Sequence, residues 1–179
     1  MKKYIALLRG INVGGNNKIS MRELKELFEQ NGFQQVSTYI NSGNIIFSSD
    51  ITDEILLKEE GERIILQRFH LTILVAIISA DDLISALQHT PSWWGEDKAS
   101  KHNAIFVIPP ATSEEIMHGV GESKPEYEKV DYYGRVIFWS APIDTFSRTR
   151  WSKVVGSSVY DSITIRNSNT TKKLLELVQ

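Results

Sequence analysis

The sequence predicts an α+β protein of two tandem ferredoxin-like units with antiparallel sheets and a C-terminal helix. Three observations carry this. Residues 3–78 run strand, helix, strand, strand, helix, strand, the order of a ferredoxin-like unit. Residues 103–178 run through the same order again and add a terminal helix. The breaks between elements fall on turn-forming residues such as Asn31-Gly32, Asn41-Ser42-Gly43-Asn44 and Pro109-Pro110. The two halves share little residue identity, so the repeat is one of element order.

The first unit begins with an apolar strand over 3–8. Ser20, with Glu23 three residues later, is the capping-box pattern that starts a helix, and Leu24, Leu27 and Phe28 fall on one face of it. Asn31-Gly32 stops that helix. Gln35 to Ile40, rich in β-branched and aromatic residues, is a second strand, and Ile45-Ile46-Phe47 starts a third. Residues 52–68 read as a helix despite Gly61, and Leu71 to Ile78 as the fourth strand. Asp81 to Gln88 gives a connecting helix, and His89 to Lys101 a crossing loop. In the second unit, Asn103 to Ile108 is a strand, and Thr112 with Glu115 caps a short helix. Tyr127 to Asp131 pairs with Arg135 to Ser140 across Tyr132-Tyr133-Gly134. Residues 146–156 read as helix, 162–166 as strand and about 170–178 as helix. The expected domains are 1–79, a connector over 80–101, and 102–179.

Composition narrows the function. With 179 residues, 41% hydrophobic and 23% charged, the chain has enough apolar content for a packed interior, and disorder is not expected. A net charge of −2 gives no overall pull towards nucleic acid. There is no cysteine, which excludes disulfides, thiolate zinc sites and a cysteine nucleophile. The apolar stretch after Lys2-Lys3 ends at Arg9, too short for a signal peptide, and no run is long enough to span a bilayer. The expected setting is the cytoplasm, with no membrane partner.

The residues that most invite a ligand are Arg9 to Lys18, which join the first strand to the first helix. In a ferredoxin-like unit strands one and two are parallel, so their ends share one sheet edge. That places Arg9, Asn12, Gly14, Gly15, Asn17 and Lys18 beside Asn41, Ser42 and Asn44, with Arg68 and His70 expected near the same edge. Backbone N–H groups, amides and two cations would converge at a helix N-terminus, a donor array suited to phosphate or carboxylate. A structural reading accounts for the same residues: glycines turn the chain, and asparagines cap it or tolerate left-handed backbone. The spacing matches neither a Walker loop nor G-x-G-x-x-G.

Leu7-Leu8-Arg9-Gly10-Ile11-Asn12-Val13-Gly14-Gly15 and Thr38-Tyr39-Ile40-Asn41-Ser42-Gly43-Asn44 resemble two signatures of DUF1697, a bacterial family of unknown function. Thr164-Ile165-Arg166-Asn167 and Asn169-Thr170 are similar to its third signature. At Ser168 many members carry tryptophan, so a stacking role for that residue does not carry over. The resemblance implies tandem ferredoxin-like units in a cytoplasmic protein and implies no activity.

Elsewhere the chemistry is sparse. His70, His89, His102 and His118 have no metal-ligand spacing, so no metal site is expected. Asp81-Asp82 suits a helix start, and Glu59-Glu60 and Glu114-Glu115 suit solvated helix faces. No serine sits in G-x-S-x-G. Trp93-Trp94 could pack subdomains together or line a cleft. Arg148, Arg150 and Lys153 form a basic run, and Arg166 reads equally as a buried structural arginine or an anion ligand. The sequence names no reaction and no cofactor. The expected function is binding of a phosphate-bearing or other anionic small ligand at the first loop. Two alternatives remain: a nucleic-acid module with RRM-like topology, though the RNP pattern is absent, or a ligand-free oligomeric interaction protein.

Overall fold

The computed structural model describes residues 1–179, which form two compact units, one built on Met1–Asp81 and one on Asp82–Leu177. Each holds a four-stranded antiparallel sheet. No helix is long and apolar enough to cross a membrane.

The first unit runs β1 (Lys2–Leu8), α1 (Met21–Gln30), β2 (Gln34–Tyr39), β3 (Asn44–Ser49), α2 (Glu54–Phe69) and β4 (Val75–Ser79). The sheet order is β2-β3-β1-β4, with every neighbouring pair antiparallel. β1 and β2 are therefore parallel, as a ferredoxin-like unit requires. Alternation along β1 sends Tyr4, Ala6 and Leu8 to the helix side, where they pack with Leu24 and Phe28 of α1 and Leu57, Ile64 and Ile65 of α2. Phe28, Phe33 and Phe47 close this core, with ring centroids 4.8 and 4.9 Å apart. Gly61 sits in the middle of α2 on its core face. A Cβ there would lie 3.7 Å from Phe28 and from Val75, so packing sustains the helix where propensity alone is weak. The other face of the sheet is also buried, with Ile5, Leu7, Ile46 and Ile78 covered. Pairing of the edge strand β2 is interrupted between Gln34 and Ser37. There Gln35 adopts a left-handed φ of 51° and accepts a 2.8 Å bond from the Ser48 hydroxyl.

The fourth strand starts at Val75 rather than Leu71. His70, left-handed at φ 57°, caps α2 and donates its N–H to Leu66, so the chain needs Leu71–Leu74 to turn back before pairing begins. Arg68 lies 3.8 Å from Glu23 in the first turn of α1 and over the Phe69 ring, so its charge is met by that carboxylate.

Helix α3 (Ala80–Leu87) follows β4 directly. The second unit continues with β5 (Ser100–Val107), α4 (Ser113–Val120), β6 (Lys129–Tyr133), β7 (Val136–Pro142), β8 (Ile163–Asn167) and α5 (Ser168–Val178). Its sheet order, β6-β7-β5-β8, reproduces that of the first. Thr112 and Glu115 form the reciprocal capping box of α4. Tyr132 on β6 donates a 2.7 Å hydrogen bond to Glu114 on α4, and this bond holds the Glu114 carboxyl below its usual value of 4.5. A carboxyl depressed in the folded state contributes stability above its unfolded pKa and loses it as pH falls through the folded value. In Tyr132→Phe the Glu114 titration should therefore move up towards 4.5, as read by carboxyl NMR; an unmoved midpoint would show that the hydroxyl does not set it.

The expected helix over 146–156 is absent. The chain instead forms three short 3₁₀ segments, Ile143–Arg148, Trp151–Gly156 and Tyr160–Ser162. Thr149 is the reason for the first break. Its backbone is extended, and its hydroxyl donates to Phe146 O at 2.8 Å and accepts from Ser152 N at 3.1 Å, replacing helical bonds. Val154 and Val155 weaken helix propensity further. Glu128, only 3% exposed, fixes the second segment. Its carboxylate accepts the N–H groups of Arg150 at 2.5 Å and Trp151 at 3.2 Å, and so anchors the Trp151 ring in a core with Ile105, Ile137, Trp139 and Ile163.

Candidate functional site

The residues after β1 form a miniature hairpin. Asn16 N–H donates to Val13 O at 2.9 Å, and Asn12 N–H to Asn17 O at 3.1 Å. Gly14 and Gly15 occupy the tip with φ 58° and 78°, the paired positive values of a type I′ turn. A Cβ would meet nothing at either glycine, so backbone conformation alone calls for glycine there. Asn12 and Asn17 flank the tip, also left-handed.

The structure brings this hairpin against the β2–β3 turn. The Asn12 amide nitrogen donates to Asn41 O at 2.9 Å and to Ile19 O at 3.0 Å, while its oxygen accepts Ile19 N–H at 2.9 Å. One side chain thus ties the loop to the neighbouring turn and to the start of α1. Leu8 N–H donates to Gly43 O at 2.8 Å, closing the same edge from below. Asn17 donates to Gly10 O, and the fully buried Asn44 donates to Tyr39 O and to the Ser42 hydroxyl. These amide donors are spent on holding the two turns. Ile40, β-branched and 47% exposed, is held at φ 50° in the same turn, a conformation that costs energy for such a residue.

Between the two turns and the N-terminus of α1 lies an open depression of about 600 Å³, lined by Asn12, Gly15, Lys18, Ser20, Met21 and Asn41 among others. No carboxylate lines it. Ser20 caps the helix by accepting Glu23 N–H, which leaves the first helical N–H groups directed at the depression's end of α1. Lys18 is exposed and has no ion-pair partner. Arg9 is half-buried at the end of β1, its N–H bonded to Leu74 O, and like Gly14, Asn17, Ser42 and Asn44 it is outside the lining.

Arg166 belongs to the second unit. It is 8% exposed on β8 and donates to Ile165 O at 3.0 Å and to the Thr164 hydroxyl at 3.4 Å; burial pushes its guanidinium down to about 10. The tryptophan pair divides. Trp94 is buried, donates its indole N–H to Asn103 O at 2.8 Å and packs edge-on to Phe138 at 5.1 Å, within one unit. Trp93 lines a cleft of about 340 Å³ with Tyr127 and Lys129. No three His, Asp or Glu side chains are grouped as a metal site would need. Two features carried no sequence signal: the Glu128 anchor, an ordinary-looking glutamate next to Tyr127, and a polar cavity at the start of α5.

The sequence matches the model of a family described as protein of unknown function, DUF1697, over residues 1–138. That span contains both turns of the depression. The fold is similar to the structure of conserved bacterial protein SP0830 from Streptococcus pneumoniae, at 31% identity over 99% of each chain, with a TM-score of 0.85. Among curated proteins none matches.

Proposed function

We propose that this chain, which belongs to the DUF1697 family of proteins of unknown function, binds the anionic group of a small molecule, a phosphate ester or a carboxylate, in the depression beside α1. The observation that carries this reading is Lys18. It is an exposed cation without an ion-pair partner, placed beside a helix N-terminus in a depression that no carboxylate lines. The Asn12 tie supports it by fixing both walls in advance, which reduces the ordering that a ligand must impose. The strained Ile40 backbone at the same edge supports it further.

An RRM-like role is less favoured because the helix-free face of the first sheet presents no aromatic platform for stacking. Ile5, Leu7, Ile46 and Ile78 are buried and aliphatic, and Phe138 is enclosed beside Trp94.

A thermal-shift screen against nucleotides, sugar phosphates and simple carboxylates tests the reading. A ligand of the folded state raises the melting temperature in a concentration-dependent way. Lys18→Ala should weaken that ligand about tenfold, since a charge-assisted bond is lost, and leave the unliganded stability within about 0.5 kcal/mol. Affinity unchanged in Lys18→Ala would rule out this depression as the site.

A further inference from the structure

We infer that the second unit carries a separate site for a phosphorylated small molecule, in the cavity at the N-terminus of α5. The cavity measures about 720 Å³ and is lined by one unit only, from the chain around Gly95–Asn103 and from Asn167–Asn169. That volume is ample for a phosphate with an organic group attached.

The helix end alone would not make a site. Ser168 adds the deciding observation. It is 8% exposed, it lines the cavity, and its hydroxyl makes no hydrogen bond within the protein. The oxygen itself is not sealed off: it is the part of a nearly buried side chain that opens on the cavity, where only water or a ligand can meet it. Asn103, half-buried on β5, also lines the cavity with its side-chain amide unengaged. The helix contributes more donors. Asn167 caps α5 by accepting Thr170 N–H at 2.8 Å, so the N–H groups of Ser168 and Asn169 precede the first intrahelical bond.

The charges sort in favour of an anion. Asp97 stays anionic, because the Ser100 hydroxyl and the Ala99 N–H hold its carboxyl below the usual range, but both its oxygens are engaged and Lys98 and Lys101 in the same lining outweigh its charge. Glu96 is paired with Lys172 at 3.3 Å. His102 has both ring nitrogens engaged, with Ser140 at 2.6 Å and Asp97 O at 2.7 Å, and Lys101 lies over the Phe146 ring. Lys98, exposed and without an ion-pair partner, is the cation left to meet a ligand. Hydroxyl, amide, two N–H groups and an ammonium are all donors. A phosphate monoester, with three acceptor oxygens and about two negative charges, matches that set.

The test is a titration of the ¹⁵N-labelled full chain with inorganic phosphate, set against chloride at matched ionic strength. The amide signals of Ser168 and Asn169 should shift saturably with phosphate and not with chloride. Ser168→Ala should raise the dissociation constant about tenfold. Because that hydroxyl has no partner, its removal should leave the melting temperature in place; Asn103→Ala is the second variant and should weaken binding in the same direction. Lys18→Ala should leave these shifts unaltered. Motionless Ser168 and Asn169 amides, equal shifts with chloride, or saturation indifferent to both Ser168→Ala and Asn103→Ala would overturn the inference. Shifts confined to Met21 and Arg22 would overturn it while upholding the site beside α1.

Discussion

Glu128→Ala is expected to cost about 3 kcal/mol of stability, among the largest effects of any change away from the apolar cores. The carboxylate is 3% exposed and accepts two backbone N–H groups at the start of the Trp151–Gly156 segment. Alanine leaves the buried Trp151 N–H without an acceptor, at about 1–3 kcal/mol, and takes the part-buried Arg150 N–H bond away as well. The loss should not stay local, because these two residues seat Trp151, fully buried in the second core. Glu128→Gln keeps one acceptor oxygen but brings an NH₂ group towards the other donor, so about half of the loss should remain. Urea unfolding reads this as a lower midpoint with an unchanged slope. If Glu128→Ala unfolded within about 0.5 kcal/mol of the parent, the carboxylate would not be an anchor.

Gly43→Ala should be about as damaging, for a steric reason. Gly43 has φ 92°, where side chains are strained, and a Cβ there would lie 2.8 Å from Leu8 Cβ and from Ile11 Cδ1. Both neighbours are completely buried and belong to the core, so neither can step aside cheaply. Strain and overpacking together should cost about 3 kcal/mol. Gly14→Ala is the control. Its φ is also positive, at 58°, but the space around it is open, so it should cost only about 1 kcal/mol. Equal losses for the two would mean that left-handed backbone, and not the close approach of turn and strand, dictates glycine at 43. Gly43→Ala should also displace Asn41 and weaken whatever occupies the depression beside α1.

The fold was legible because its signals are local and periodic. Ser20, Thr112 and Asn31-Gly32 mark helix ends through bonds made within a few residues. The unbroken apolar run of β1, buried on both faces, and the turn at Asn41–Asn44 mark the rest of the first sheet. The segment after β7 was not legible, because what shapes it is distant in sequence. Its hydrophobic spacing suits a helix, yet Thr149 competes for the backbone and Glu128, more than twenty positions earlier, fixes the next turn. Topology alone brought Asn12 and Asn41 to one edge. It could not show that the amides of Asn12, Asn17 and Asn44 are spent on the protein itself, since an asparagine that donates to a carbonyl and one that waits for a ligand look the same in sequence. The cavity at α5 was hidden for the same reason: no local pattern distinguishes a serine bonded within the protein from one, like Ser168, that opens on a cavity without a protein partner.

The irregular pairing of β2 has a consequence for how copies of this chain behave at high concentration. An outermost strand offers a row of open backbone groups on which a second molecule could align and start a growing aggregate. At Gln35 that row is broken: the residue turns left-handed, the pairing skips between Gln34 and Ser37, and a straight incoming strand loses its register there. The polar Gln34, Gln35 and Ser37 leave little apolar surface to compensate. The distortion thus guards the open side of the first sheet against templated association, and repairing it into a regular strand would trade colloidal stability for a few extra backbone bonds.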